Sequence, residues 1–82
     1  MTITIYSTSI CAACESLTRW LDKLGQAYTK KITDQDPAIM AEFMSVNEGV
    51  IGVPFSVIEL DDGTTVKISG FDLPKFKAVL KK

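Results

Sequence analysis

Cys11 and Cys14 are the only two cysteines in the 82-residue chain, and they stand two residues apart as Cys11-Ala12-Ala13-Cys14. Thiols at that spacing can close a small disulfide ring or supply half of a metal site. The chain has no histidine, which removes Cys–His nucleophilic catalysis, mixed Cys/His zinc sites and imidazole proton shuttles. Thiol, carboxylate and backbone chemistry remain. After the pair, Leu17, Trp20, Leu21 and Leu24 recur with helical spacing, so a helix begins at or just after Cys11 and runs towards Gly25. Cys11 then sits at a helix N-terminus, where unpaired N–H groups and the positive end of the macrodipole stabilise a thiolate. Cys14 lies one turn further in, placed to attack a mixed disulfide on Cys11. This arrangement suits dithiol–disulfide exchange. Three other readings compete with it. The cysteines could be inert core residues, which a polar loop before a helix start disfavours. Pairs from two subunits could hold zinc or an iron–sulfur cluster. The chain could also be a non-enzymatic module that holds an extended peptide.

The elements that must position the pair follow from the pattern on either side of it. Thr2–Tyr6 alternates like a strand, with Ile3 and Ile5 on one face. Ser7-Thr8-Ser9-Ile10 is then a polar loop with small hydroxyls able to cap the helix. Gln26 to Ile32 reads as a second strand with Tyr28 and Ile32 inward, which makes a right-handed βαβ unit. Asp36-Pro37 opens a second helix, Asp as N-cap and Pro in the first turn, with Ile39, Met40, Phe43 and Met44 as its core face. Pro54 marks the start of a third strand, Phe55–Leu60. Asp61-Asp62-Gly63 turns the chain into a fourth, Thr64–Ile68. Asp72 caps a last helix whose buried residues are Leu73, Phe76, Val79 and Leu80. The order is β-α-β-α-β-β-α, an α/β chain with a four-stranded mixed sheet flanked by three helices.

Composition narrows the partners. A 46% hydrophobic fraction is that of a globular chain, and a net charge of −1 gives no bulk attraction to nucleic acid or an anionic membrane. Lys75, Lys77, Lys81 and Lys82 read as the solvated face of the last helix. No apolar run approaches the ~18 residues that span a bilayer. The N-terminus lacks the charged and apolar regions of a signal peptide, so a cytoplasmic location is expected. There a C-x-x-C pair is catalytic or metal-binding more often than structural. Residues 1–82 are expected to form one domain and to act as a monomer.

Order and motifs together resemble the glutaredoxin branch of the thioredoxin superfamily. The features that carry the resemblance are the strand ending Ile5-Tyr6, the Cys11-x-x-Cys14 helix start, Val53-Pro54 before the third strand, and Ser69-Gly70-Phe71-Asp72 before the last helix. Within that branch, Leu21-Asp22-Lys23-Leu24-Gly25 followed by Tyr28, together with Ser69-Gly70-Phe71, look most like the NrdH-redoxins, small glutaredoxin-like electron donors to ribonucleotide reductase. The resemblance implies a thioredoxin-like fold with Cys11 as exposed nucleophile and Cys14 as resolving thiol. It implies that Pro54 is a cis-proline facing the disulfide and that Val53 offers its backbone to an extended substrate. It places Gly70 and Phe71 in a loop closing the far side of the site, and gives a substrate-binding set of Thr8, Ala12, Val53, Pro54, Gly70, Phe71 and Asp72. No bound cofactor or metal is implied. Electrons would come from NADPH through thioredoxin reductase, or from glutathione, and pass to ribonucleotide reductase or another protein disulfide. Thr8 stands where glutathione-using members carry a basic anchor, Gly52 where threonine is frequent, and Ala12-Ala13 differs from the usual dipeptides. The loss of the basic anchor points to thioredoxin reductase as the recharging enzyme, with a glutathione-dependent glutaredoxin as the alternative. Tyr6 is a candidate for the rim of the site, and Trp20 for packing on the first helix.

Overall fold

The computed structural model describes residues 1–80; Lys81 and Lys82, half of the expected C-terminal lysine face, lie outside them. The elements are β1 (Thr2–Ser7), α1 (Ala12–Lys23), β2 (Thr29–Ile32), α2 (Pro37–Val46), β3 (Phe55–Glu59), β4 (Thr65–Ser69) and α3 (Leu73–Leu80). They form one sheet in the order β2-β1-β3-β4. β1 pairs parallel with β2, with Ile5 opposite Lys30, and antiparallel with β3, with Tyr6 opposite Phe55. β3 and β4 form the hairpin, with Ser56 opposite Ile68. The expected thioredoxin-like order is therefore the observed one.

Two layers of core follow from the alternation along β1. Ile3 and Ile5 point to one face, where they meet Leu17 and Leu21 of α1, Ile58 and Ile68 of the hairpin, and Phe76 and Leu80 of α3. Tyr6 points to the other face, where it meets Phe55 and Phe43 of α2. The rings of Tyr6 and Phe55 lie 5.6 Å and 5.9 Å from that of Phe43. Burial of the first set is nearly complete, so truncating any member leaves a cavity as well as losing transfer energy.

The second helix departs from its expected packing. Asp36 is its N-cap, accepting a hydrogen bond from the Ala38 N–H at 2.9 Å, with Pro37 in the first turn, as the sequence predicts. Its buried row, however, is Ile39, Phe43 and Val46. Met40 and Met44 are 39% and 56% exposed. That row meets Tyr6 and Phe55, and Met40 and Met44, each one residue on from a member of the row, are turned about 100° away from it around the helix. The second strand is also shorter than the Gln26 to Ile32 expected. Tyr28 precedes it, half-buried against the first core, with its hydroxyl donating to Asp22 at 3.0 Å.

Charge fastens α2 to the sheet. Glu42 accepts hydrogen bonds from the Tyr6 hydroxyl at 2.5 Å and the Lys31 ammonium at 2.6 Å. The Lys31 bond, and then the Tyr6 bond, hold the Glu42 carboxyl below the usual carboxylate range. Burial, and then the same Glu42 contact, keep the Tyr6 phenol protonated well above its ordinary range. Tyr6 is thus a tie between sheet and helix and is buried beneath α2, away from the rim expected for it.

Leu21→Ala is expected to destabilise the fold by about 2–5 kcal/mol, whereas Met44→Ala should change it by less than about 0.5 kcal/mol; urea unfolding measures both. The lowered Glu42 carboxyl sets a pH dependence. Its contribution is complete above the unfolded glutamate range, near pH ~4.3, and is lost as pH falls through the lower folded value. Glu42→Gln should therefore narrow the gap between the urea midpoints at neutral and acid pH.

Candidate active site

The backbone brings the cysteine loop and the proline loop to one edge of the sheet. β1 ends at Ser7, whose carbonyl accepts the Thr33 N–H at 2.9 Å and the Thr33 hydroxyl at 3.1 Å. Ser7 and Thr33 are both buried, so this pair fixes where the chain leaves the sheet. Tyr6 lies opposite Phe55, so Pro54 enters the sheet beside the point where Ser7 leaves it. The Val53–Pro54 peptide bond is cis, as the resemblance implies, and Pro54 is fully buried. Its carbonyl accepts the Gly70 N–H at 2.8 Å. Gly70 makes that bond at φ 76°, a left-handed conformation that a side chain would strain.

Cys11 and Cys14 form a disulfide with their Cα atoms 5.3 Å apart. Cys11 is half-exposed and Cys14 is fully buried. This asymmetry follows from the helix start. Cys11 has extended backbone and acts as N-cap of α1, its Sγ accepting the Cys14 N–H at 3.1 Å. Cys14 faces inward one turn above Leu17. The cap is therefore the nucleophile candidate's own sulfur and not the loop hydroxyls, which have other partners. The Thr8 hydroxyl donates to the Ile10 carbonyl at 3.1 Å, and the Ser7 hydroxyl to the Thr8 carbonyl at 3.0 Å. Once the disulfide opens, the Cys14 N–H that points at Cys11 favours the charged sulfur over the thiol.

Ser9 reveals a partner that local sequence could not. The carboxylate of Asp34 accepts the Ser9 hydroxyl at 2.6 Å and its N–H at 3.0 Å. These bonds, the hydroxyl's foremost, hold the Asp34 carboxyl below the usual carboxylate range. The contact spans 25 residues of sequence, and it places an anion beside the cysteine loop.

The other residues of the expected substrate-binding set are dispersed in role. Ala12 is exposed on the first turn of α1, and Val53 is half-buried beside Pro54. Phe71 packs against Trp20 and Phe76, with ring centroids 6.1 Å and 6.5 Å away. Asp72 accepts the Lys75 N–H at 3.3 Å and so caps α3. Gly70 is the member of that loop hydrogen-bonded to the proline. Trp20 is half-buried between α1 and α3, as expected. Among the described residues, no group of three or more His, Cys, Asp or Glu is placed to hold a metal, and no helix is long and apolar enough to cross a membrane.

Gly70→Ala tests the backbone requirement. A Cβ at Gly70 would meet nothing within 4 Å, so any loss reports the positive φ alone. Thermal or urea unfolding should show a cost of about 1–2 kcal/mol; a neutral result would mean that the loop relaxes freely.

Comparison with known proteins agrees with this geometry. The glutaredoxin family model matches residues 3–62, which include the cysteine pair and the proline. No curated protein sequence matches the chain significantly. Among solved structures, the chain is similar to the glutaredoxin-like NrdH-redoxin from Escherichia coli, described as having a thioredoxin-like activity profile, at 25% identity and TM-score 0.74, covering 98% of this chain and 95% of that one. It is similar in fold to the glutaredoxin from Methanosarcina mazei, at 18% identity and TM-score 0.76, with 99% and 79% covered. A buckwheat glutaredoxin solved as a glutathione complex is 24% identical, at TM-score 0.63, with 98% and 70% covered. With a paired Cys11-x-x-Cys14 at a helix start and a family match over most of its length, this chain belongs to the glutaredoxin family of thiol–disulfide oxidoreductases.

Proposed function

We propose that the chain is a protein disulfide reductase of the NrdH type, an electron donor to ribonucleotide reductase that thioredoxin reductase recharges from NADPH. The observation that carries this reading over a glutathione-dependent one is the Asp34 carboxylate held on Ser9. Glutathione carries two carboxylates, and an anion beside the loop repels them where the relatives supply a cation. The similarity to an NrdH-redoxin over nearly the whole of both chains supports the same choice.

In the proposed reaction the Cys11 thiolate attacks one sulfur of a substrate disulfide, and the other substrate sulfur leaves as a thiolate. The Cys14 thiolate then attacks the Cys11 sulfur, forming the Cys11–Cys14 disulfide and expelling the second substrate thiolate. Two electrons pass to the substrate. Burial of Cys14 keeps it from competing for the first attack, and its position one helical turn from Cys11 directs it to the second. The cis-Pro54 segment presents Val53 to the extended chain around the substrate cysteine.

Two measurements test this. Cys14→Ser should accumulate a mixed disulfide on Cys11, whereas Cys11→Ser should form none; mass spectrometry under non-reducing conditions distinguishes them. NADPH oxidation with ribonucleotide reductase as acceptor should proceed with thioredoxin reductase and fall at least tenfold with glutathione and glutathione reductase, roughly 1.4 kcal/mol in barrier per decade. Turnover with glutathione alone would make the chain a glutathione-dependent glutaredoxin and overturn the proposed donor role.

A further inference from the structure

Ile10 and Ile51 are the most exposed large apolar side chains among the described residues, at 93% and 80%. A single exposed isoleucine on a surface requires no explanation. The placement of these two does. Ile10 immediately precedes Cys11, and Ile51 lies three residues before Pro54. Because Tyr6 is opposite Phe55, the loop carrying Ile10 begins, and the loop carrying Ile51 ends, at the same end of the sheet, the end that holds the disulfide. The same two loops carry Ala12 and Ala13, both exposed, and Val53, half-buried. No charged residue occurs from Ser7 to Cys14 or from Gly49 to Pro54. Val53 is outside the strands, and among the described residues its backbone enters no loop or turn hydrogen bond. The nearest fixed charge on the cysteine loop is the Asp34 carboxylate on Ser9.

Resting on the disulfide-reductase reading, we infer that Ile10 and Ile51 are specificity-determining residues. Their occupant is an extended cysteine-containing segment of a protein disulfide, with apolar residues next to the cysteine and no acidic ones. The substrate must touch Cys11 to react, so whatever flanks its cysteine is pressed against this surface as the mixed disulfide forms. Apolar flanks remove both isoleucines from water. Polar flanks lose their own hydration and receive no hydrogen bond from these side chains in return. Acidic flanks also meet the Asp34 charge. The pair therefore discriminates among substrates by what surrounds the sulfur and leaves the exchange chemistry unchanged.

The test is a single-turnover reaction of the pre-reduced protein with synthetic peptides. Each peptide carries one cysteine disulfide-bonded to the same small thiol, so the leaving group is constant, and the cysteine is flanked by leucine, serine or aspartate. Thiol release is followed by quenched flow. The wild type should react with the leucine-flanked peptide roughly three- to tenfold faster than with the serine-flanked one, the scale of a modest apolar contact. The aspartate-flanked peptide should be slowest and should gain most from added salt. In Ile10→Ser/Ile51→Ser the leucine-to-serine ratio should fall to about one, and in Ile10→Leu/Ile51→Leu it should persist. Equal wild-type rates on leucine and serine flanks, or a preference surviving in the double serine variant, would overturn the inference while leaving the reductase reading intact. Absence of thiol release from every peptide would overturn both.

Discussion

The carbonyl of Ser7 accepts two hydrogen bonds from Thr33, and both residues are buried. This contact terminates the central strand at a defined point, and the active loop begins with the next residue. The same edge receives Pro54, because β3 is paired in register with β1 along its whole length. The Gly70 N–H on the Pro54 carbonyl then ties in the loop before α3. Three loops distant in sequence therefore meet at one end of the sheet through backbone bonds, with little demand on side-chain chemistry.

Packing reinforces that geometry from both faces. Ile3, Ile5, Leu17, Leu21 and Phe76 clamp α1 and α3 onto one side, so the N-terminal turn of α1 cannot rotate Cys14 outward without opening the core. On the other side the apolar stripe of α2 is narrow, and the Tyr6–Glu42–Lys31 contacts supplement it. One buried group is left without a partner among the described residues, the hydroxyl of Ser56 in β3. Burying an unpaired hydroxyl costs free energy, and nothing in the surrounding contacts explains its retention.

The electrostatics of the site come from the backbone more than from side chains. Cys11 is its helix's own cap, so the more exposed of the two sulfurs also receives a backbone N–H from the first turn of that helix. The charge that does approach the loop, Asp34, is held by Ser9 and is of the sign that repels an anionic tripeptide. The cysteine loop from Ser7 to Cys14 and the proline loop from Gly49 to Pro54 carry no charged residue of their own, and Ile10 and Ile51 on them are strongly exposed.

Much of the architecture was legible in the chain because it depends on short-range physics. The alternation of Ile3 and Ile5, the Asp36-Pro37 helix start, the turn at Gly63 and the C-x-x-C before a helical repeat each constrain the backbone within a few residues. The cis-proline and the Ser-Gly-Phe loop were legible through family resemblance and not through pattern. What local pattern misjudged was decided by distance. Met40 and Met44 share the apolar character of Phe43 but are exposed, since the row that meets Tyr6 and Phe55 is Ile39, Phe43 and Val46. The hydroxyls of Ser7 and Thr8 donate to nearby carbonyls, leaving the cap to Cys11. The elements, their order and the thiol chemistry rest on periodicity and residue type, and these can be read along the chain. Tertiary structure alone decided that Thr33 ends the central strand, that Asp34 faces the cysteine loop and that the loops of Ile10 and Ile51 share an end of the sheet, because each joins residues brought together only when the sheet closes.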